Sequence, residues 1–343
     1  MVDVKIRGQV FDEKTSASTG TLEVGEAKCF LPNKFATSSE LHASKTVGLK
    51  KPIANGIFVS SRLVFPDSLK KLLGDENYLK GFARGISREK SSLGDVRAIL
   101  FLVFRGETTV GRAEDLKTIL DLQYFSDFDV ITVQQTYGVS AEEFASLFSF
   151  AERWLESWAI DKPLMPVLGA SLPREELEAC VKALLKRGIQ CLGVDMRGGF
   201  YYHTLRLVEE IKGVNPSLWV HVFQVPPKIR FGSMLPCSQG MVLPFFGVDS
   251  FSKWVVPPPP EPLTKDKINV FDRVGWGVFK RREFAEARGE SLRCSCPICG
   301  GKNLKGFFDG KVFSVLGNSK VHEHYAQQGE LKKSGDHIKD RTS

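Results

Sequence analysis

PLMPVLG at 163–169, REELEACVKALLKR at 174–187 and QCLGVD at 190–195 read together as one strand–helix–strand unit. The outer runs are short and apolar, and they end on Gly169 and Asp195. The middle run is amphipathic at a helical period and opens on Glu175 and Glu176 behind Ser171, a helix start with an acidic first turn. Two strands joined by a helical crossover lie parallel, because a tight hairpin can only join antiparallel neighbours. Working outward, the alternation recurs. Thr21–Phe30, Gly56–Ser60, Ala98–Phe104, Asp129–Gln134, Leu218–Phe223 and Met241–Asp249 are the other strand-like segments. Ala113–Leu122, Ala141–Trp158 (behind Ser140, with Glu142 and Glu143) and Thr204–Lys212 are the other helix-like ones. The count is close to the eight of a (β/α)8 TIM barrel, with an open doubly wound sheet as the alternative. The expected class is α/β, with the barrel spanning 21–256.

The totals agree. A chain of 343 residues suits one large domain of ~250 residues with a smaller appendage. Hydrophobic residues at 42% supply a sizeable core. No apolar run reaches the roughly 18 residues that a membrane span needs, and the opening MVDVKIRGQVFDEK resembles neither a secretory signal nor a transit peptide. A cytoplasmic protein without membrane contact is expected. Residues 1–20, polar and rich in Ser, Thr and Gly, read as a frayed lead-in. The run Pro257–Pro260, followed by Pro262, cannot continue a helix or a central strand, so 257–267 reads as a linker or long loop. The polar end, 332–343, reads as a disordered tail. No Gly-x-Gly-x-x-Gly motif opens a helix after the first strand and no Gly-Lys-Ser/Thr phosphate loop occurs, which disfavours nucleotide-dependent chemistry.

Seven cysteines are present. Cys29, Cys180, Cys191 and Cys237 are scattered among apolar residues and read as buried thiols of a reducing compartment. The other three form Cys294-Ser-Cys296-Pro-Ile-Cys299, and His322 follows after 22 intervening residues. Zn²⁺ favours four tetrahedral thiolate and imidazole ligands, and three Cys with one His is a closed structural set that leaves no position for a reactive water. Gly300 and Gly301 let the chain swing away after the third thiolate. His324 is the rival fourth ligand; on a helix the two imidazoles point in different directions, so only one serves, and His322 is preferred. A zinc-binding subdomain is therefore expected at 268–331. From residue 262 onward 16 Lys and Arg face 10 Asp and Glu, so this end supplies +6 of the +7 net charge. That bias suits a polyanionic partner such as nucleic acid, or equally a solvated lysine-rich surface.

The zinc motif placed after a barrel-like region resembles the tRNA-guanine transglycosylase superfamily, the archaeal branch above all. Further matches are Gly20-Thr-Leu-Glu-Val with Cys29-Phe-Leu-Pro, Pro166-Val-Leu-Gly169, Leu192-Gly-Val-Asp195, Val220-His-Val-Phe223, Gly247-Val-Asp249-Ser-Phe251 and His322-Glu-His-Tyr325. The resemblance runs patchily over 20–331. It implies a zinc-containing (β/α)8 protein that exchanges guanine for a 7-deazaguanine in tRNA, or in DNA as related enzymes do. In that chemistry an aspartate attacks the ribose C1′ and a second carboxylate moves the proton. The family's Gly-x-Asp-x-Phe-Asp pattern puts Ser252 at the nucleophile in direct register, and Asp249 there if the strand end is shifted. Gly169 and Asp195 sit where the family's strand ends line the base pocket, His221 lies in the strand that matches the archaeal one, and Tyr201, Tyr202 and His203 are aromatic groups that could stack on a base. The family's Asp-Ser-Gly segment has no counterpart between 50 and 110; Glu107 is the nearest acid there, and Asp127 and Asp129 are other acids near strand ends. Two readings follow: an exchanging enzyme with Asp249 as nucleophile, or a non-catalytic paralogue that binds RNA or a catalytic partner, as a homodimer or a heterodimer with a transglycosylase subunit.

Overall fold

The computed structural model describes residues 3–12, 14–49, 53, 56–229, 237–255 and 261–342. Three antiparallel strands come first: β1 (Val4–Asp12), β2 (Ala17–Val24) and β3 (Ala27–Leu31). The expected lead-in is thus largely ordered, because its alternating residues pair with β2 and send Val4, Leu22 and Val24 into the core. The expected strand 21–30 is a hairpin that turns at Gly25, where φ is +58°.

Eight parallel strands follow: β4 (Asn33–Thr37), β5 (Ile57–Val64), β6 (Arg97–Phe104), β7 (Ile131–Gln134), β8 (Leu164–Gly169), β9 (Cys191–Asp195), β10 (Trp219–Val225) and β11 (Ser250–Lys253). They run in the order β6-β5-β4-β11-β10-β9-β8-β7. The seam between β6 and β7 is a single parallel bridge, Ile99 to Val130. Asp129 secures it: its N–H donates to Ala98 O at 2.9 Å, and its carboxylate accepts from Ala98 N and Arg97 at 2.8 and 2.7 Å. The expectation of a TIM-like barrel is met.

Helices α1 (Ser38–Thr46), α2 (Pro66–Gly74), α3 (Glu76–Ser91), α4 (Ala113–Phe125), α5 (Ala141–Ser157), α6 (Arg174–Leu185), α7 (Tyr202–Val214) and the short α8 (Gln239–Val242) lie between the strands. Ser140 caps α5 with Glu143, as expected. Helix α6 starts behind Pro173, two residues later than Ser171 suggested.

Two parts of the barrel departed from expectation. Strand β4 was hidden because it begins Asn33-Lys34, yet both are buried; Lys34 Nζ lies 2.8 Å from Glu40 of α1, where burial opposes the Glu40 charge but Lys34 overrides it and holds the carboxyl well below its usual range. The run Met241–Asp249, expected as a strand, is α8 and then a 3-10 turn, Leu243–Phe246, that ends at Gly247 with φ +76°. Pro244 fits a first helical turn, where its missing N–H costs nothing, and periodicity cannot tell a short apolar run in a helix from one in a strand.

Two apolar clusters result. One fills the barrel: Phe35, Val59, Phe101, Met165, Val167, Trp219 and Phe223, plugged at the strand N-terminal end by Val4, Leu22, Val24 and Cys29. Gly193 sits inside because a Cβ there would fall 2.7 Å from Val167 and 2.9 Å from Phe223. The other cluster joins sheet and helices and runs on without a break into the C-terminal part.

That part contains β12 (Asn269–Phe271) and β13 (Val278–Lys280), α9 (Arg281–Arg288), α10 (Leu304–Phe307) and the long α11 (Val312–Thr342). The tail expected to be disordered is the end of α11 up to 342. Leu331, Gly335 and Ile338 form one helical face: the leucine and isoleucine are buried, and a Cβ on Gly335 would lie 2.8 Å from Thr19 of β2. The expected linker keeps only 261–267 within the described residues; its prolines 257–260 lie outside them. Among the described residues no helix is long and apolar enough to cross a membrane.

Candidate functional site

The knuckle after α9 brings Cys294, Cys296 and Cys299 to one side of a tight turn, where Cys299 N and Gly300 N both donate to Cys296 O at 3.1 Å. Gly300 and Gly301 then carry φ of +44° and +79°, turning the chain away as their sequence position suggested. From α11, His322 reaches the same point. The ligand atoms of the four residues lie within 4.8 Å of one another. His322 Nδ1 is 3.5 Å from Cys296 Sγ and 3.2 Å from Cys299 Sγ. A tetrahedral zinc with Zn–S of about 2.3 Å and Zn–N of about 2.05 Å sets its N···S edges at roughly 3.5 Å, so the spacing fits such an ion.

The far side of the imidazole is held in a way that suits a metal ligand. His322 Nε2 lies 2.8 Å from Phe271 O of β12 and donates to it, which leaves Nδ1 unprotonated and facing the thiols. His324 is elsewhere: its Nε2 is 3.2 Å from Ile53 O and its Nδ1 3.7 Å from Glu40. The choice between the two histidines thus falls on His322. The cluster can hold a metal ion and fastens the knuckle, β12 and α11 to one another. Next to it, Glu323 pairs with Lys253 at the end of β11 and stands 3.8 Å from Lys34 of β4, so α11 is also tied to two barrel strands.

The family-based candidates do not gather at one place. Asp249 precedes β11 and therefore stands at the N-terminal end of the barrel, opposite to the face where barrels hold their chemistry. It is fully buried. Its oxygens take Lys212 Nζ at 2.9 and 3.0 Å, Val220 N at 2.8 Å and the Ser18 hydroxyl at 2.9 Å. Burial pushes its pKa up while Lys212 opposes. The expectation that Asp249 ends a strand at the mouth is corrected: the apolar run before it is helical, so the residue begins the strand instead.

Ser252 and His221 lie inside the barrel. His221 stacks on Phe35 at 5.0 Å, with Nδ1 2.8 Å from the Ser250 hydroxyl and Nε2 3.2 Å from that of Ser252. Burial drops its pKa from 6.5 to about 3. His221 thus packs the core and cannot reach a base at the mouth. A neutral buried imidazole gives a stability cost in acid. Below about pH 6.5 the unfolded chain takes up a proton that the folded one refuses until about pH 3, so stability falls as pH falls through that window, by at most ~1.4 kcal/mol per pH unit for this group. Urea melts between pH 7 and pH 5 on the native chain and on His221→Gln should show a shallower acid loss in the variant.

Gly169 and Asp195 do end their strands at the mouth, and Ala170 N donates to Asp195 O at 2.9 Å. Of the eight strand-terminal residues Asp195 is the one acid. Arg197 holds it, with its N–H donating to Oδ1 at 2.9 Å and its Nε 3.6 Å from Oδ2; burial pushes the Asp195 pKa up and Arg197 counters. Tyr201 folds its ring over Gly199, whereas Tyr202 is exposed and meets Phe246 edge-on at 6.0 Å. Glu107 is exposed, Asp127 bonds to Lys90 and Lys162, and Asp129 closes the seam described above.

Three mouth residues escaped the sequence reading. Arg105 follows β6, Arg197 follows β9 and Trp254 follows β11. Only their place one or two residues past an apolar run marked them, and that signal is weak without the strand register.

No family model matches the chain, and no curated protein matches it. Solved structures similar to it include a truncated 3-deoxy-D-arabino-heptulosonate 7-phosphate synthase from Thermotoga maritima (14% identity, 71% of this chain and 83% of that one, TM-score 0.37). FabK from the same organism aligns at 12% identity over 90% of this chain and 95% of its own, TM-score 0.37. DHODH from Eimeria tenella aligns at 11% over 59% and 72%, TM-score 0.36. Likeness this distant carries no argument about activity, and the barrel assignment rests on the strand order above.

Proposed function

We propose that this chain is a zinc-clamped barrel of the tRNA-guanine transglycosylase type that does not itself exchange bases and serves as an RNA-binding or accessory partner of an exchanging subunit. One observation carries the choice between the two readings of the sequence. The aspartate offered as nucleophile is sealed at the wrong end of the barrel by Lys212, Val220 and Ser18. Base exchange needs a nucleophile and a second carboxylate at one mouth, and Asp195 stands there alone among the strand ends, already paired with Arg197. The zinc is structural in this reading, since four protein ligands leave no position for water.

Nucleic acid as the partner is supported by the basic C-terminal part. Lys265, Arg281 and Lys305, with Asn303, Gly306, Phe308 and Asp309, line an open hollow of about 480 Å³ beside the zinc knuckle. Arg281 lies over the Phe308 ring at 5.4 Å. Phosphate contacts made there would release counterions, so binding should weaken steeply with salt.

The test uses the purified zinc-loaded chain with labelled guanine and either tRNA or DNA. The expected result is no incorporation into either, with tRNA binding that falls as salt rises from 50 to 200 mM, by roughly tenfold or more if several phosphates are engaged. Incorporation by the chain alone, lost in Asp195→Asn, would overturn the accessory reading. An unchanged tRNA affinity across that salt range would remove the nucleic-acid partner.

A further inference from the structure

The barrel mouth holds donors without acceptors. Inward-facing residues alternate along each strand, so Arg105 continues the interior row of Phe101 and Val103, Asp195 that of Gly193, and Trp254 that of Ser252. Trp254 presses on Gly198, where a Cβ would lie 2.7 Å from the indole ring and where φ is +76°. Only glycine admits that approach. The Arg105 guanidinium lies 5.9 Å from the same ring, and Arg105 Nη2 donates to Val255 O at 3.2 Å. Its Nε is shut off from solvent and has no acceptor among the described residues, and the Trp254 indole N–H is in the same state. A buried donor left unpaired is destabilising, and two on neighbouring side chains need an explanation. Arg197, held at φ +48°, lies along the Gly169 backbone, and both it and Arg105 act on the Asp195 carboxylate, so two guanidiniums face one acid and the group keeps a net positive charge. Arg105 follows the third barrel strand and Trp254 the eighth, and Gln224 is the second-last residue of the seventh. Gln224, at φ +57°, accepts from Val255 N at 3.2 Å and fixes the turn that carries Trp254 and Val255. The loops after the seventh and eighth strands are where barrels commonly seat phosphate.

We propose that the barrel mouth binds a phosphate-type oxyanion, which accepts from Arg105 Nε and Trp254 Nε1 and is neutralised by the Arg105 charge. This site is independent of the accessory reading and of the zinc, since none of its residues touches the Cys3His cluster. The oxyanion can come from a free phosphate compound or from a nucleic-acid backbone, and the experiment separates the two.

The full chain is titrated calorimetrically with inorganic phosphate at low ionic strength, against a sodium chloride control of equal ionic strength. A single saturable site is expected. Arg105→Met should weaken it at least tenfold, and Trp254→Phe, which keeps the ring stacking but loses the N–H, should weaken it several-fold. Both are compared with the native chain in circular dichroism; should Arg105→Met fail to fold, Trp254→Phe decides. Displacement of bound phosphate by a short single-stranded oligoribonucleotide assigns the oxyanion to a nucleic-acid backbone. Displacement by a ribonucleoside 5′-monophosphate but not by the oligomer assigns it to a free phosphate compound. Heat no greater than the chloride control, or equal affinity in native and Trp254→Phe chains, overturns the proposal.

Discussion

Cys299→Ser should strip the metal from the protein and loosen everything from β12 to α11. Cys299 is fully buried within the four-residue cluster, 3.2 Å from His322 Nδ1, and serine offers a poor zinc ligand at that position. Zinc held by small finger peptides carries on the order of 10–16 kcal/mol of apparent binding free energy at neutral pH. Here part of that order is secured independently, because Phe271, Val278, Phe279 and Phe307 share the apolar shell of the barrel. The net loss is therefore put at roughly 4–5 kcal/mol, at the high end for a point substitution. Metal analysis of the dialysed native chain should return one zinc per chain, and that of the variant close to none, with a lowered melting temperature. A chelator on the native chain should reproduce the variant. His324→Ala is the control: that imidazole faces Ile53 O and Glu40 and should leave the metal content intact. Native protein without zinc, or Cys299→Ser with full zinc, would end the metal assignment.

Asp249→Asn should destabilise the fold by ~3–5 kcal/mol, since it leaves Lys212 as a buried charge without its counter-ion. Lys212 would keep the Pro216 and Leu218 carbonyls, at 2.6 and 2.9 Å, and at best one neutral amide oxygen in place of the carboxylate, so hydrogen bonds remain but no negative charge faces it. The measurement is a urea melt followed by fluorescence. The double replacement Lys212→Met with Asp249→Leu should recover much of the loss, because an apolar pair of similar volume is often as stable as a buried ion pair. A nucleophile would behave in the opposite way: Asp249→Asn would fold as well as the native chain and lose only activity. A single variant of native stability would therefore restore Asp249 as a catalytic candidate and remove the basis for calling the chain an accessory.

The barrel was legible because its strands β5 to β10 are short apolar runs separated by amphipathic helices, a pattern fixed by local spacing alone. The metal cluster was legible for the same reason: three thiols within six residues stay together wherever the chain goes, and two histidines, His322 and His324, follow on the next long helix. Sequence by itself thus determined the parallel α/β class and three quarters of the metal set. Tertiary structure decided what depends on partners distant in the chain. Strand β4 is possible because the carboxylates of Glu40 and Glu323 neutralise the buried Lys34, and no local pattern announces that neutralisation. His322 rather than His324 faces the thiols because Phe271 O holds its far nitrogen. Asp249 changed from a strand end at the mouth to a sealed ion pair at the floor, since the eight residues before it, Met241–Val248, suit helix and strand equally by pattern and fold as helical turns that end at Gly247 against Lys212. Spacing along a chain sets which residues can be neighbours locally; which end of a strand faces solvent is fixed only when burial selects among the remaining alternatives.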